Sequence, residues 1–273
     1  MPEQHDGHRH IGVVPAYPFY GGPPVNADVT ARATVREFLA DLDAEGTERA
    51  LVLPNYGVPD PDVTFELNKL ALEAAQTDDR VVCGLWVSPK QSDAARNDVA
   101  LGLAGEPGVR ALKTSFLLGG APNDPACAEQ LDRIFTTAAD RNLVVHIHTS
   151  PGAASDIDRV GELVERYGDR VRIHLVHLGG GMSGHIKMIG SRLFDWIAAG
   201  KKVYTDTSWS IGFAATWLVR EIERRGIGQD RLLFATDRPW GDFAGEHARL
   251  SAACSDPDLA DLIFRGNFES LYA

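Results

Sequence analysis

The chain is short of cysteine and of positive charge. Its 273 residues hold three cysteines, Cys83, Cys127 and Cys254, widely separated and odd in number. No two are spaced as CxxC, so neither a disulfide framework nor a thiolate zinc site is indicated, and a reducing cytoplasm is the simplest compartment. Lys and Arg total 27 against 38 Asp and Glu, a formal net charge of -11 and a pI near 5.2. Nucleic acids and anionic membranes are bound through clustered Lys and Arg, so this balance argues against both as partners. There is no apolar run of the ~18 or more residues that a membrane span needs. The opening MPEQHDGHRH lacks the basic-then-apolar build of a signal peptide. A G-x-G-x-x-G turn after an early strand is also absent, which counts against an open dinucleotide-binding sheet.

What is present is alternation. Short apolar runs recur at Arg49–Pro54, Arg80–Val87, Val109–Thr114, Leu143–Thr149, Val171–His177, Lys202–Thr207 and Arg231–Asp237. They are rich in Val, Ile and Leu and bounded by turn residues, as strands buried on both faces of a parallel sheet should be. An eighth strand is expected around His5–Ile11. Between them lie amphipathic stretches. Ala31–Glu45 sets Val35, Leu39 and Leu42 on one stripe and stops at Gly46, a candidate C-terminal glycine. Asp62–Gln76, Asp93–Leu103, Asp124–Ala139, Ser155–Tyr167 and Ser183–Ala199 read the same way, several opening on a candidate N-cap. Repeated βα units predict an α/β fold, and eight of them favour closure into a (β/α)8 TIM barrel over residues 1–273 as one domain. Such barrels typically need ~250 residues.

Reacting groups of these barrels sit at the C-terminal strand ends, and several of the nine histidines fall there. His8 and His10 are two apart, so a strand projects both to one side. His146 and His148 repeat the spacing, with Val145 and Ile147 turned to the helices, His148 nearer the mouth and His146 a layer deeper. His174 and His177 differ by three and cannot both face inward on a regular strand; His177 is the one at the mouth. Asp237 ends the last strand. Imidazoles and a carboxylate together make a ligand set for a divalent ion such as Zn²⁺ with a position left for water, which the ion would acidify. Each residue also has a bland reading. An HxH near an N-terminus can be incidental, a strand-end histidine can bond a carbonyl, and an Asp after a strand can cap a helix.

In order along the chain, DGHRH (6–10), FLADLDAEGTERALVLPN (38–55), HIHTS (146–150), VHLGG (176–180), FATDRPW (234–240) and GNFESLYA (266–273) resemble the segments of one family. This is the amidohydrolase superfamily, in its amidohydrolase-related branch with aminocarboxymuconate-semialdehyde decarboxylase and the γ-resorcylate-type decarboxylases. The resemblance implies that His8, His10, His148 and Asp237 hold one divalent ion, zinc first and manganese as the alternative. It also implies that His177 acts beside the ion as acid, base or electrostatic helper. Ala235-Thr236 departs from the family's Gly-Ser before the aspartate, and Arg9 lies between the paired histidines. The chain is also shorter than the decarboxylases of this branch.

Two reactions follow as expectations. One is hydrolysis of an ester, lactone or amide of a small molecule, with Asp237 moving the proton and His177 assisting the carbonyl. The other is non-oxidative decarboxylation of a small unsaturated or aromatic acid. A barrel that only binds its ligand is the remaining class. Candidate substrate contacts are Lys113, Tyr17, Trp86, Trp209, Arg238 and Trp240. Lys113 could instead pair with a nearby Asp, or bridge two ions as a carboxylated lysine does in other amidohydrolases. Tyr17, Phe19 and Tyr20 lie in a Gly/Pro-rich loop after the HxH, a natural pocket wall. Asp206 could orient a ligand histidine or cap the next helix. A homodimer is the expected assembly, dimers being commonest.

Overall fold

The structure, a computed structural model, describes residues 4–13, 33–56 and 61–273. Eight strands run in the order of the sequence: β1 Gln4–Ile11, β2 Thr47–Pro54, β3 Val81–Trp86, β4 Val109–Thr114, β5 Val144–Ile147, β6 Arg172–Leu175, β7 Val203–Asp206 and β8 Leu232–Leu233. Each pairs in parallel with the next. Of the expected final strand Arg231–Asp237, only Leu232–Leu233 joins β7 in a ladder. The residues that follow bend across to β1 and close the barrel. Gly7 donates to the Phe234 carbonyl at 3.0 Å, Asp237 to that of His8 at 2.8 Å, and His10 to that of Arg238 at 2.7 Å. The buried Asp6 carboxylate fastens the same seam, accepting from the Thr236 backbone N–H at 3.0 Å and its hydroxyl at 2.6 Å. The result is a (β/α)8 barrel.

Alternation along the strands divides the core in two. Val145 and Ile147 of β5 point outward into the large cluster shared with the helices. Leu51, Leu53, Val82, Ala111, Val144 and Leu233 instead form a separate cluster inside the barrel. A Cβ at Gly84 would come within 2.4 Å of Leu53 Cδ2, so β3 carries glycine where Leu53 fills the barrel. Apolar layers fill the lower barrel, and polar residues are left for the mouth.

The helices are α1 Val35–Glu45, α2 Pro61–Thr77, α3 Ala94–Gly102, α4 Pro125–Asp140, α5 Ile157–Tyr167, α6 Gly181–Lys187, α7 Leu193–Ala198, α8 Gly212–Arg225, α9 Phe243–Ala253, α10 Pro257–Asp261 and α11 Asn267–Tyr272. Several begin elsewhere than their patterns suggested. The first starts at Val35 rather than Ala31, because Thr34 and Glu37 form a reciprocal capping box, and it ends as expected on left-handed Gly46. Asp156, not Ser155, caps α5. The predicted helix Ser183–Ala199 comprises α6 and α7 joined by a π-turn over Met188–Arg192. Among the described residues no helix is long and apolar enough to cross a membrane.

Candidate metal centre

Two backbone irregularities deliver the first ligands. Between Asp6 and Arg9 the register of β1 against β2 slips by one residue, a bulge of the kind that re-aims side chains. Beyond it, His8 and His10 bring their Nε2 atoms to 3.0 Å from each other, and each lies 3.0 Å from Asp237 Oδ1. Asp237 itself turns at a left-handed φ of 56° just past β8. All three are buried.

His177 reaches the same place by another irregularity. β6 ends at Leu175, and His177 and Leu178 then adopt left-handed angles (φ 61° and 49°). This turn is why His174 and His177 both face the barrel interior despite their spacing of three. His177 Nε2 comes to 3.9 Å from Asp237 Oδ2. The glycines after it are needed for packing, since a Cβ at Gly180 (φ 72°) would lie 2.5 Å from the Ser150 backbone. His148 follows β5 directly, its ring 5.0 Å from that of His177, with Nδ1 3.0 Å from the Tyr56 hydroxyl. The structure therefore gathers His8, His10, His148, His177 and Asp237 at one mouth, with His148 beside His177.

Hydrogen-bond partners fix where the protons are. His10 Nδ1 faces the Pro54 carbonyl at 3.0 Å, and His177 Nδ1 faces the Ser208 carbonyl at 3.2 Å. A carbonyl only accepts, so both Nδ1 atoms carry hydrogen and both Nε2 atoms present lone pairs to the centre. His8 Nδ1 faces the Asp206 carboxylate across 3.9 Å, and a proton on that nitrogen leaves its Nε2 in the same state. Burial, with the neighbouring charges of Lys113 and His146, pushes His8 well below its usual range, and burial also lowers His177 against the pull of Asp237. Neutral imidazole lone pairs and a carboxylate packed at 3.0 Å repel unless a cation lies among them. A tetrahedral ion with bonds of ~2.0–2.2 Å spaces its ligand atoms roughly 3.4 Å apart, so the donor set fits a divalent metal in chemistry and in size.

A second group lies one layer deeper. His8, His146 and Asp206 also bring possible ligand atoms within 4.8 Å of one another. Its protonation differs. Lys113, fully buried and pushed down to about 7 by burial, approaches His146 Nδ1 at 3.1 Å. As an ammonium it only donates, and in that state His146 holds its proton on Nε2. This layer thus offers N–H groups to one carboxylate, whereas the upper layer offers lone pairs.

Above the centre opens a cavity of about 720 Å³, floored by His10, His148, His177 and Asp237 and walled by Tyr56, Trp86, Trp209 and Trp240. Tyr56 stacks on Trp86 at 4.7 Å, and the Trp240 indole donates to Asn55 Oδ1 at 2.9 Å. Of the sequence-derived substrate contacts, Trp86, Trp209 and Trp240 line this space. Lys113 lies beneath it against His146, and Arg238 turns away to Glu45 at 2.9 Å; neither lines the cavity. Tyr17 lies outside the described residues, as do Phe19 and Tyr20. Sequence reasoning missed Tyr56 and Lys90, the lysine at the rim. Tyr56 lies two residues past β2, and that strand-end position was the available signal.

A parallel (β/α)8 barrel with imidazoles and a carboxylate converging at its C-terminal mouth is the architecture of a metal-dependent barrel enzyme. The amidohydrolase family profile matches residues 6–273, and the chain belongs to that family. No curated protein matches the chain by sequence. Among solved structures, 2,6-dihydroxybenzoate decarboxylase from Rhizobium is similar at 17% identity over 100% of this chain and 99% of that one, with a TM-score of 0.72. A probable 2-pyrone-4,6-dicarboxylic acid hydrolase from Acinetobacter baumannii, with citric acid bound, shares 15% identity over 99% of each chain, TM-score 0.65. The 5-carboxyvanillate decarboxylase of Novosphingobium aromaticivorans, in complex with manganese and 4-hydroxy-3-methoxy-5-nitrobenzoic acid, shares 16% identity over 99% of this chain and 96% of that one, TM-score 0.69. At such identities the likeness is one of fold.

Proposed function

We propose that the protein is a metal-dependent hydrolase that cleaves an ester, lactone or amide bond of a small organic molecule. The observation that carries the metal is the set of mutual 3.0 Å contacts among His8 Nε2, His10 Nε2 and Asp237 Oδ1. His8, His10, His148 and Asp237 would hold the ion. When bound, it supplies Lewis acidity toward a carbonyl oxygen and lowers the pKa of water. His177 supplies the base. Its Nδ1–H is held by Ser208, its Nε2 lone pair faces the centre, and its lowered pKa keeps it neutral at pH 7. It can take the proton of an attacking water directly or through Asp237 Oδ2, 3.9 Å away, and return it to the leaving group. A neutral acceptor suits this role better than polarising the carbonyl, which would need an N–H. The aromatic walls select a flat or apolar substrate body.

A second reading, decarboxylation of an aromatic acid, is favoured by the structural likeness to two such decarboxylases and by the same aromatic walls. The test measures bound metal in the untagged protein and in His10→Ala, then assays the loaded protein on lactone, ester and amide panels and on hydroxybenzoates. About one equivalent of zinc or manganese, lost in the variant, with hydrolytic turnover is expected. CO₂ release without hydrolysis would give the site to the second reading. No metal uptake would refute both.

A further inference from the structure

Four side-chain atoms inside the barrel are buried without a well-aligned hydrogen bond: His8 Nδ1, His146 Nε2, His174 Nε2 and Asp206 Oδ2. They face one another. His174 Nε2 lies 2.9 Å from Asp206 Oδ2, short in distance but bent in angle, and His8 Nδ1 lies 3.9 Å from the same oxygen. The His174 and His8 imidazoles therefore face one carboxylate oxygen, with the His146 ring packed against both. The other oxygen, Oδ1, accepts from the His177 backbone N–H at 3.1 Å, from that of Ser208 at 3.0 Å, and from the Ser208 hydroxyl. Buried polar groups without partners cost free energy, so the convergence of four on one point is a built feature.

The proton assignments are mutually consistent. When the Tyr272 hydroxyl, 2.6 Å from His174 Nδ1, donates there, the His174 proton lies on Nε2, on the side of Asp206. Lys113 does the same for His146 when it is an ammonium. His8 turns Nδ1 toward Asp206 across 3.9 Å and Nε2 toward His10 and Asp237.

We infer that Asp206 is the positioning residue of the centre, holding His8 as the Nδ1–H tautomer so that its Nε2 lone pair faces the ion, while its second oxygen fixes the left-handed turn that carries His177. This rests on the metal-dependent reading above for its purpose, not for its geometry. Free neutral imidazole favours the Nε2–H form, so an Nδ1–H His8 is a signature that must be imposed.

Asp206→Asn tests it. The amide oxygen can still accept from His177 and Ser208, while the amide N–H₂ replaces an acceptor with a donor facing His8 and His174. Such a change keeps geometry and reverses the tautomer. ¹⁵N NMR of the histidines in the metal-free protein is expected to show His8 as Nδ1–H in the wild type and Nε2–H in D206N. Zinc affinity by chelator competition is expected to fall roughly 10- to 100-fold. An Nε2–H His8 in the wild type, or an unchanged tautomer in D206N, overturns the inference, as does unchanged zinc affinity in D206N when the wild type binds zinc. If D206N does not fold, the wild-type tautomer alone decides. A wild type with Nδ1–H His8 that binds neither zinc nor manganese upholds the role of Asp206 and refutes the metal-dependent function.

Discussion

His177 occupies a backbone region that a residue other than glycine enters at a cost of roughly 1–3 kcal/mol. It is not alone: Asp237 and Trp209, both at the same mouth, have φ of 56° and 58°. Such strain persists only where surroundings hold it, here Ser208 on Nδ1, Asp206 on the backbone N–H and His185 Nε2 on the carbonyl at 3.2 Å. The substitution that separates chemistry from conformation is His177→Asn, because Asn tolerates left-handed backbone. It is expected to lower kcat by about 10²- to 10⁴-fold, the range of a lost general base, with metal content and urea midpoint little changed. Loss of metal along with activity would make His177 a ligand and take away its role as base.

Whole elements show what the sequence could and could not announce. The alternation Val145, His146, Ile147, His148 along and just past β5 was legible, because a strand's period of two sends histidines to one face and aliphatics to the other. So was the sheet order, since eight βα units in a row permit little else. The irregular points were not. Nothing in DGHRH marks the bulge between Asp6 and Arg9, and VHLGG reads as a strand end although its His and Leu turn left-handed. Proton placement was equally hidden, for it depends on Pro54, Ser208 and Asp206, residues distant in sequence from the histidines they face. Lys113 and Arg238 show the converse: strand-end position alone suggested substrate contacts, while one packs beneath the cavity and the other pairs with α1.

Helix α9 carries an element-scale consequence for pH. Glu246, buried on this helix, accepts from the Trp209 backbone N–H at 3.2 Å and pairs with Arg249 at 2.9 Å. Burial, outweighing Arg249, pushes its carboxyl up to about 7. An acid whose folded pKa is raised binds its proton more tightly in the folded chain. Its contribution to stability is therefore fully present below its unfolded pKa of 4.5 and lost as pH rises toward 7. Urea unfolding of wild type and Glu246→Gln at pH 4.5 and 7.5 should show the wild type losing up to about 3 kcal/mol relative to the variant over that interval. Parallel curves would mean that Arg249 keeps the carboxylate ionised throughout.

At the scale of the molecule, the last helix holds the barrel together from below. Phe268, Leu271 and Tyr272 of α11 are the residues that join Leu51, Leu53, Val82, Ala111, Val144 and Leu233 in the inner cluster. Glu269 pairs with Arg49 on β2 and with His5 on β1 at 3.2 Å, and Arg172 on β6 donates to the Leu271 carbonyl at 2.8 Å. The end of the chain is thus tied to strands on both sides of the closure seam. Through Tyr272 and His174 it also touches the polar layer that faces Asp206. Packing and site are coupled through the Tyr272 hydroxyl. Leu271→Ala removes packing alone and is expected to cost about 2–5 kcal/mol, the range for emptying a buried leucine site. It should leave metal affinity of the folded protein within about twofold, because sites without shared partners add nearly independently. Urea midpoints and chelator competition on one preparation measure both quantities. A loss of metal affinity in proportion to the loss of stability would show that the plug and the mouth form one cooperative unit, with α11 setting the geometry of the centre as well as closing the barrel beneath it.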